Sequence, residues 1–225
     1  MFYADALAFL GLPGKEVVGD PNLVLNLAHL TAAPPWLKTM DEVLRAVEIF
    51  KSQFNFCSQS IWENVVSFTN NLNDLIWLND RLKVILGLQN TPEDVDVLRL
   101  KRAGIRVLTP AYQGQNKFGS GWLNAGIGLT VKGYELVSDC VLYGMIVDLS
   151  HCGHEMAREI ITYAHSIRST PVRLRLMASH GGCFAKYHHF RNLPDDVLKG
   201  VADLGGVIGI TTLTFALDER DNSLD

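Results

Sequence analysis

The sequence predicts an α/β fold on a parallel sheet, most simply a (β/α)-type barrel. Three observations predict it. Short, continuous apolar runs rich in Val and Ile recur through the second half of the chain, and stretches with helical spacing of apolar residues lie between them. Such alternation means a parallel sheet. In addition, no glycine-rich phosphate loop follows a strand, which counts against an open nucleotide-binding sheet.

In chain order, the first eighty residues carry the weaker signals. A strand is expected near Phe2 to Ala6, a helix over 39–54, a second strand over 54–60 and an asparagine-rich helix over 60–81. The predicted strands then follow at 83–88, 105–109, 144–150, 175–179 and 206–212. The intervening helices are expected over 92–104, 130–144, 154–167 and 193–206. Thr91-Pro92-Glu93 and Pro194-Asp195-Asp196 place proline and acidic residues at helix starts, and Gly104, Gly144 and Gly205 fall just past helix ends. About seven strands result, one short of a closed eight-stranded barrel. The unit is expected to span 1–225 as one domain with a polar tail from about 217.

Composition narrows the function. The chain has 225 residues, is 48% hydrophobic and carries 20 Lys+Arg against 24 Asp+Glu, for a net charge of -4. That balance argues against a nucleic-acid partner and favours a small soluble one. No apolar stretch reaches the roughly 18 residues needed to cross a bilayer. Cys57, Cys140, Cys152 and Cys183 are widely spaced without a Cys-x-x-Cys pair, which fits a reducing compartment, and a cytoplasmic location is expected.

The C-terminal ends of strands are where functional side chains converge in a parallel barrel. Asp148-Leu149-Ser150-His151 closes one predicted strand and Ser179-His180-Gly181-Gly182 closes the next, so two imidazoles from neighbouring strands would share one rim. Neutral imidazole is a common ligand for zinc and related ions. Ordinary loop or core histidines are the alternative. Arg191, eleven residues after His180, would either reach over the site to grip a carboxylate or pair at the surface with Asp195 or Asp196. Tyr112 either donates a hydrogen bond to a substrate or packs at the rim. Cys152 and Cys183, each near one of the histidines, would be soft ligands or small buried hydrophobes.

These residues together resemble a family. Gly128-Leu129-Thr130 followed by Gly133, the run YGMIVDLSH (143–151), ASH (178–180) and FRNLPDDVLKGVADLGGVIGIT (190–211) look like the renal (membrane) dipeptidase family of zinc metallopeptidases. The stretch RVLTPAYQGQNKFGSG (106–121) resembles the loop that bacterial members carry after their fourth strand. The likeness spans roughly residues 83 to 212.

The resemblance implies a TIM-like (β/α)8 metal-dependent hydrolase barrel, in which two zinc ions bridged by a carboxylate activate water to cleave a dipeptide. By position it makes His151 and His180 ligands of the second zinc, Arg191 a substrate contact, and Tyr112 a residue facing the substrate. Three departures accompany it. Gln89 stands where the family has its bridging glutamate, and a neutral amide cannot supply the charge that holds two cations together. Near the first strand Asp5 is the one candidate ligand left, with Tyr3 in place of a histidine. The family's last strand has no counterpart in the sequence.

The expected function is therefore a dipeptidase-like metallohydrolase with a degraded metal site, holding one zinc at most at the second position. The alternative is an inactive family member that binds a peptide, small ligand or protein. An open barrel would also expose strand edges that a second copy could cover, giving a homodimer.

Overall fold

The computed structural model describes residues 3–8, 25–57, 66–68, 82–211 and 216–217, with backbone alone at 3–8, 25–28, 53–57, 66–68 and 82–83. The strands are β1 (Tyr3–Ala8), β2 (Leu25–Thr31), β3 (Val66–Phe68), β4 (Leu82–Leu88), β5 (Ile105–Leu108), β6 (Ile146–Asp148), β7 (Arg175–Gly181) and β8 (Val207–Ile210). The helices are α1 (Met40–Cys57), α2 (Val97–Arg102), α3 (Val131–Tyr143), α4 (His154–Ser166) and α5 (Asp195–Asp203).

All strands belong to one parallel sheet, ordered β1-β2-β4-β5-β6-β7-β8, with β3 paired to β4 off that path. β2 runs along one edge of β4, matching Leu27 with Lys83 through Thr31 with Gly87. The other edge is shared: β3 takes its start, with Val66 opposite Leu82, and β5 its end, with Leu88 opposite Leu108. The sheet curls until β1 lies near β7 and β8, without a β1–β8 ladder among the described strands. This is a truncated TIM-like α/β barrel.

Local chemistry explains the helix ends. Thr39 and Glu42 form a capping box at the start of α1, the Glu42 carboxylate accepting from the Thr39 amide at 3.1 Å. Asp96 caps α2 by accepting from the Arg99 amide at 2.9 Å, and Thr130 caps α3 by accepting from the Gly133 amide at 3.0 Å. Gly104, Gly144 and Gly205 all take positive φ just past helices, the conformation for which only glycine is unstrained.

The core lies between sheet and helices. α4 buries Met156, Ile160 and Ala164 along one stripe with Ala157 and Ile161 beside it. Leu100, Ile105, Leu108, Leu149 and Ile160 are almost fully buried, each contributing about 1.5–3 kcal/mol of transfer free energy. Gly200 lets α5 approach α4 closely, because a Cβ there would come within 2.5 Å of Ile161.

Four expectations need correction. Residues 54–57 continue α1 instead of starting a strand, the amphipathic register of the helix overriding the β-preference of Phe-Asn-Phe-Cys; residues 58–60 lie outside the described part. Within the helix expected over 60–81, Val66–Phe68 form β3, and the other residues lie outside the described part. The helix expected from 92 begins at Val97, because 92–96 form a turn in which the Val95 amide bonds to the Pro92 carbonyl at 3.2 Å. Among the described residues β2 and β3 bring the strands to eight, seven of them on the continuous path.

Candidate metal and substrate site

Parallel register brings the C-terminal ends of the strands to one rim. β6 ends at Asp148, which sits opposite Met177 of β7, so the residues after each strand emerge side by side. The Nε2 atoms of His151 and His180 converge to 3.1 Å. His151 is buried and His180 partly so.

Two loops build the rest. The loop after β5 is stitched to the segment after β6: the Trp122 amide donates to the His151 carbonyl at 3.0 Å and the Gly153 amide to the Ser120 carbonyl at 2.7 Å. That seats the Tyr112 ring against His151, with centroids 4.2 Å apart. The loop after β7 doubles back on Asn192, whose side-chain oxygen accepts from the Gly182 amide at 3.0 Å while its amide nitrogen donates to the carbonyls of Tyr187 and Ala216. His154 Nε2 holds the Asn192 carbonyl at 2.8 Å. The result carries Arg191 inward to 4% exposure, its guanidinium donating to the Ser150 carbonyl and, at 3.1 Å, to His151 Nε2. Arg191 thus does not pair at the surface with Asp196, which pairs instead with Arg158 at 2.7 Å.

Beneath the imidazoles lies a buried carboxylate. Asp148 accepts from the Ser150 amide at 3.0 Å, the Ser150 hydroxyl at 2.7 Å, the Ser179 amide at 2.9 Å and the Ser179 hydroxyl at 2.5 Å. Ser179 Oγ also lies 2.7 Å from His180 Nδ1. Burial alone would raise the Asp148 pKa, but the His180 imidazole and the Ser179 hydroxyl and amide outweigh it and keep the carboxyl ionised. Burial, reinforced by Arg191, drives His180 down to about 4. Burial, then Arg191 and His180, hold His151 well below its ordinary value against a small opposing influence of the Tyr112 backbone. Burial lowers Arg191 to about 10, with Asp148 opposing, so the guanidinium stays charged at neutral pH. The site therefore offers two neutral imidazoles beside a fixed cation and a fixed anion.

The remaining sequence candidates fall elsewhere. Gln89 is buried at 3% exposure just past β4, on the same rim. Asp5 and Tyr3 lie in β1, Asp5 opposite Ala28, and the positions of their side chains lie outside the described part. Cys152 is buried in the core, and burial raises its thiol far above the ordinary range. Cys183 donates to Asp195 at 3.0 Å, toward the start of α5. Among the described residues, no group of three or more His, Cys, Asp and Glu is arranged to hold a metal ion.

One residue escaped the sequence reading. His29, near the end of β2, is 5% exposed and lies over Gly87, where an added Cβ would meet its Nε2 at 2.0 Å. It lies within electrostatic reach of Asp148 and His180. Its strand, within LVLNLAHLT, was the available signal.

A family model for membrane dipeptidase, Peptidase family M19, matches residues 26–224. The chain belongs to this family. Its sequence is 30% identical over 224 residues to dipeptidase verJ of Clonostachys rogersoniana, covering 97% of this chain and 53% of that protein. The fold of the chain superposes on the probable dipeptidase PvdM from Pseudomonas aeruginosa with a TM-score of 0.70 at 20% identity, over 93% of this chain and 59% of that one. A metallopeptidase from Rhodobacter sphaeroides, solved with a phosphinate mimic of the dipeptide L-Ala-D-Ala, gives 0.65 at 17% identity, over 83% of this chain and 61% of that one. The M19 chain described here thus spans about half the length of the curated dipeptidase it matches. No helix among its described residues is long and apolar enough to cross a membrane.

Proposed function

We propose that this M19 chain is a dipeptidase-type metallohydrolase that keeps one metal position, with His151 and His180 holding a zinc ion. The observation that carries this reading is the convergence of their Nε2 atoms to 3.1 Å. Arg191 can only donate, so the Nε2 of His151 that it faces is a lone pair, and the guanidinium occupies the place where a cation is favoured. Two neutral imidazoles fit zinc as a partial donor set, to be completed by water or by a ligand outside the described residues. A zinc ion bound there would polarise a peptide carbonyl and acidify a water molecule.

The chain's own residues supply binding and orientation. Arg191 spends one N–H on the Ser150 carbonyl, and its other donors, including the one that now faces His151 Nε2 and that a zinc ion there would displace, are left for the terminal carboxylate of a dipeptide. Tyr112 covers one face of His151 and shields it from water. Gln89, a neutral amide at a buried rim position, supports one metal rather than a bridged pair, and equally supports a second reading in which the chain binds a peptide without cleaving it.

Elemental analysis of protein purified without chelator, followed by dipeptide hydrolysis with added zinc, separates these readings. The expected result is no more than one zinc per chain with slow turnover, both lost in His151→Ala. Two metals per chain with efficient turnover would overturn the single-metal reading. A metal-free, inactive protein that still binds dipeptide would establish the binding module instead.

A further inference from the structure

His180 has two ring nitrogens, and which one carries hydrogen decides whether Nε2 can face a cation. The hydrogen bonds beneath it decide this. Ser150 Oγ gives its one hydrogen to Asp148 Oδ1 at 2.7 Å and accepts from the His180 amide at 3.0 Å. Ser179 Oγ also has one hydrogen and three neighbours: Asp148 Oδ2 at 2.5 Å, His180 Nδ1 at 2.7 Å and Ser150 Oγ at 3.0 Å. The charged acceptor at the shortest distance takes it. Ser179 Oγ can then only accept from His180, so the hydrogen sits on Nδ1 and Nε2 is left as a lone pair.

The same logic applies across the gap. Arg191 fixes the His151 Nε2 as a lone pair from its own side. Two lone pairs therefore face each other at 3.1 Å, an arrangement that a cation between or beside them relieves. We infer that Ser179 is a positioning residue that transmits the charge of Asp148 to His180, fixing the tautomer whose Nε2 receives the metal. It is a carboxylate–histidine support with a hydroxyl inserted, and such outer partners commonly set ligand orientation and basicity. The inference rests on the proposed metal role of His180, but its first readout needs no metal.

The experiment is long-range 1H–15N correlation of histidine-labelled, metal-free protein at neutral pH. The wild type is expected to show His180 with its hydrogen on Nδ1. Asp148→Asn should reverse this: the Asn amide donates to Ser179, which then donates to Nδ1 and leaves the hydrogen on Nε2. Ser179→Ala should give a mixture of tautomers, and Ser179→Thr, which keeps a hydroxyl, should restore the wild-type form. Zinc competition against a chromophoric chelator should follow, with affinity about 10–100-fold weaker in Ser179→Ala. A wild-type His180 with its hydrogen on Nε2, or an Asp148→Asn spectrum like the wild type, would overturn the relay. Correct tautomers in a protein that binds no zinc would uphold the relay and refute the metal reading.

Discussion

On the β6–β7 side of the rim, a buried carboxylate, two serines, two imidazoles and an arginine form one continuous run of close polar contacts, from Asp148 to Arg191, hydrogen-bonded at both ends and with the two imidazole Nε2 atoms facing each other between them. On the β2–β4 side, the equivalent ground is held by Gln89, by Gly87 and by the His29 ring lying over that glycine. The first side is organised by charge: an ionised carboxylate with four close donors below, a guanidinium above. The second is organised by packing, the ring filling the space that the missing Cβ leaves. The difference teaches how two neighbouring stretches of one M19 rim are held, one by charge and the other by packing.

The largest expected effect tests that distinction directly. Asp148→Ala leaves the Ser150 and Ser179 amides and hydroxyls without their common acceptor and the Arg191 charge without its counterion. Urea unfolding should show a loss of about 3–5 kcal/mol. Gln89→Ala, at a similarly buried position, should cost about 1 kcal/mol. Equal losses would erase the contrast between the two sides.

The packing side is probed by Gly87→Ala. The new methyl would lie 2.0 Å from His29 Nε2 and 2.9 Å from the Val107 Cβ, so the ring must move. Overpacking of this kind costs about 1–3 kcal/mol, and pairing the change with His29→Ala should recover much of it in a thermal melt. No recovery would mean that Val107, not the imidazole, sets the limit.

Legibility in the sequence divides along the same line. From β4 to β7 each strand is an apolar run set off by helices, and the sheet buries most residues on both faces of these runs; β8 is apolar too, but Val207, Ile208 and Ile210 are exposed. The region before β4 defeats that method for physical reasons. β2 carries Asn26 and His29 among its leucines, which blurs the apolar run, and β3 has three residues, too few for any period. His29 was hidden with its strand, since a histidine becomes informative only when its place at a strand end is known. The pair His151 and His180 was readable for that reason. Ser150 and Ser179, adjacent to them, were visible as letters but not as partners, because a hydroxyl's role depends on distances that spacing does not carry.

The smallest effect follows from the imidazoles being held neutral. In the unfolded metal-free chain His180 takes up a proton near pH 6.5, whereas in the folded protein burial and Arg191 delay this to about 4. Between those values the unfolded state binds more protons than the native state, so stability rises with pH across the window and falls on acidification. His151, shifted in the same direction, adds to it. Moving from neutral pH to about 5.5 should therefore cost on the order of 1 kcal/mol per imidazole, read as a lower urea midpoint at unchanged slope. His180→Gln should flatten the profile over that window, and a profile that keeps its full slope in this variant would mean that the His180 imidazole, held neutral on the charged side of the rim, is not what makes the fold sensitive to acid.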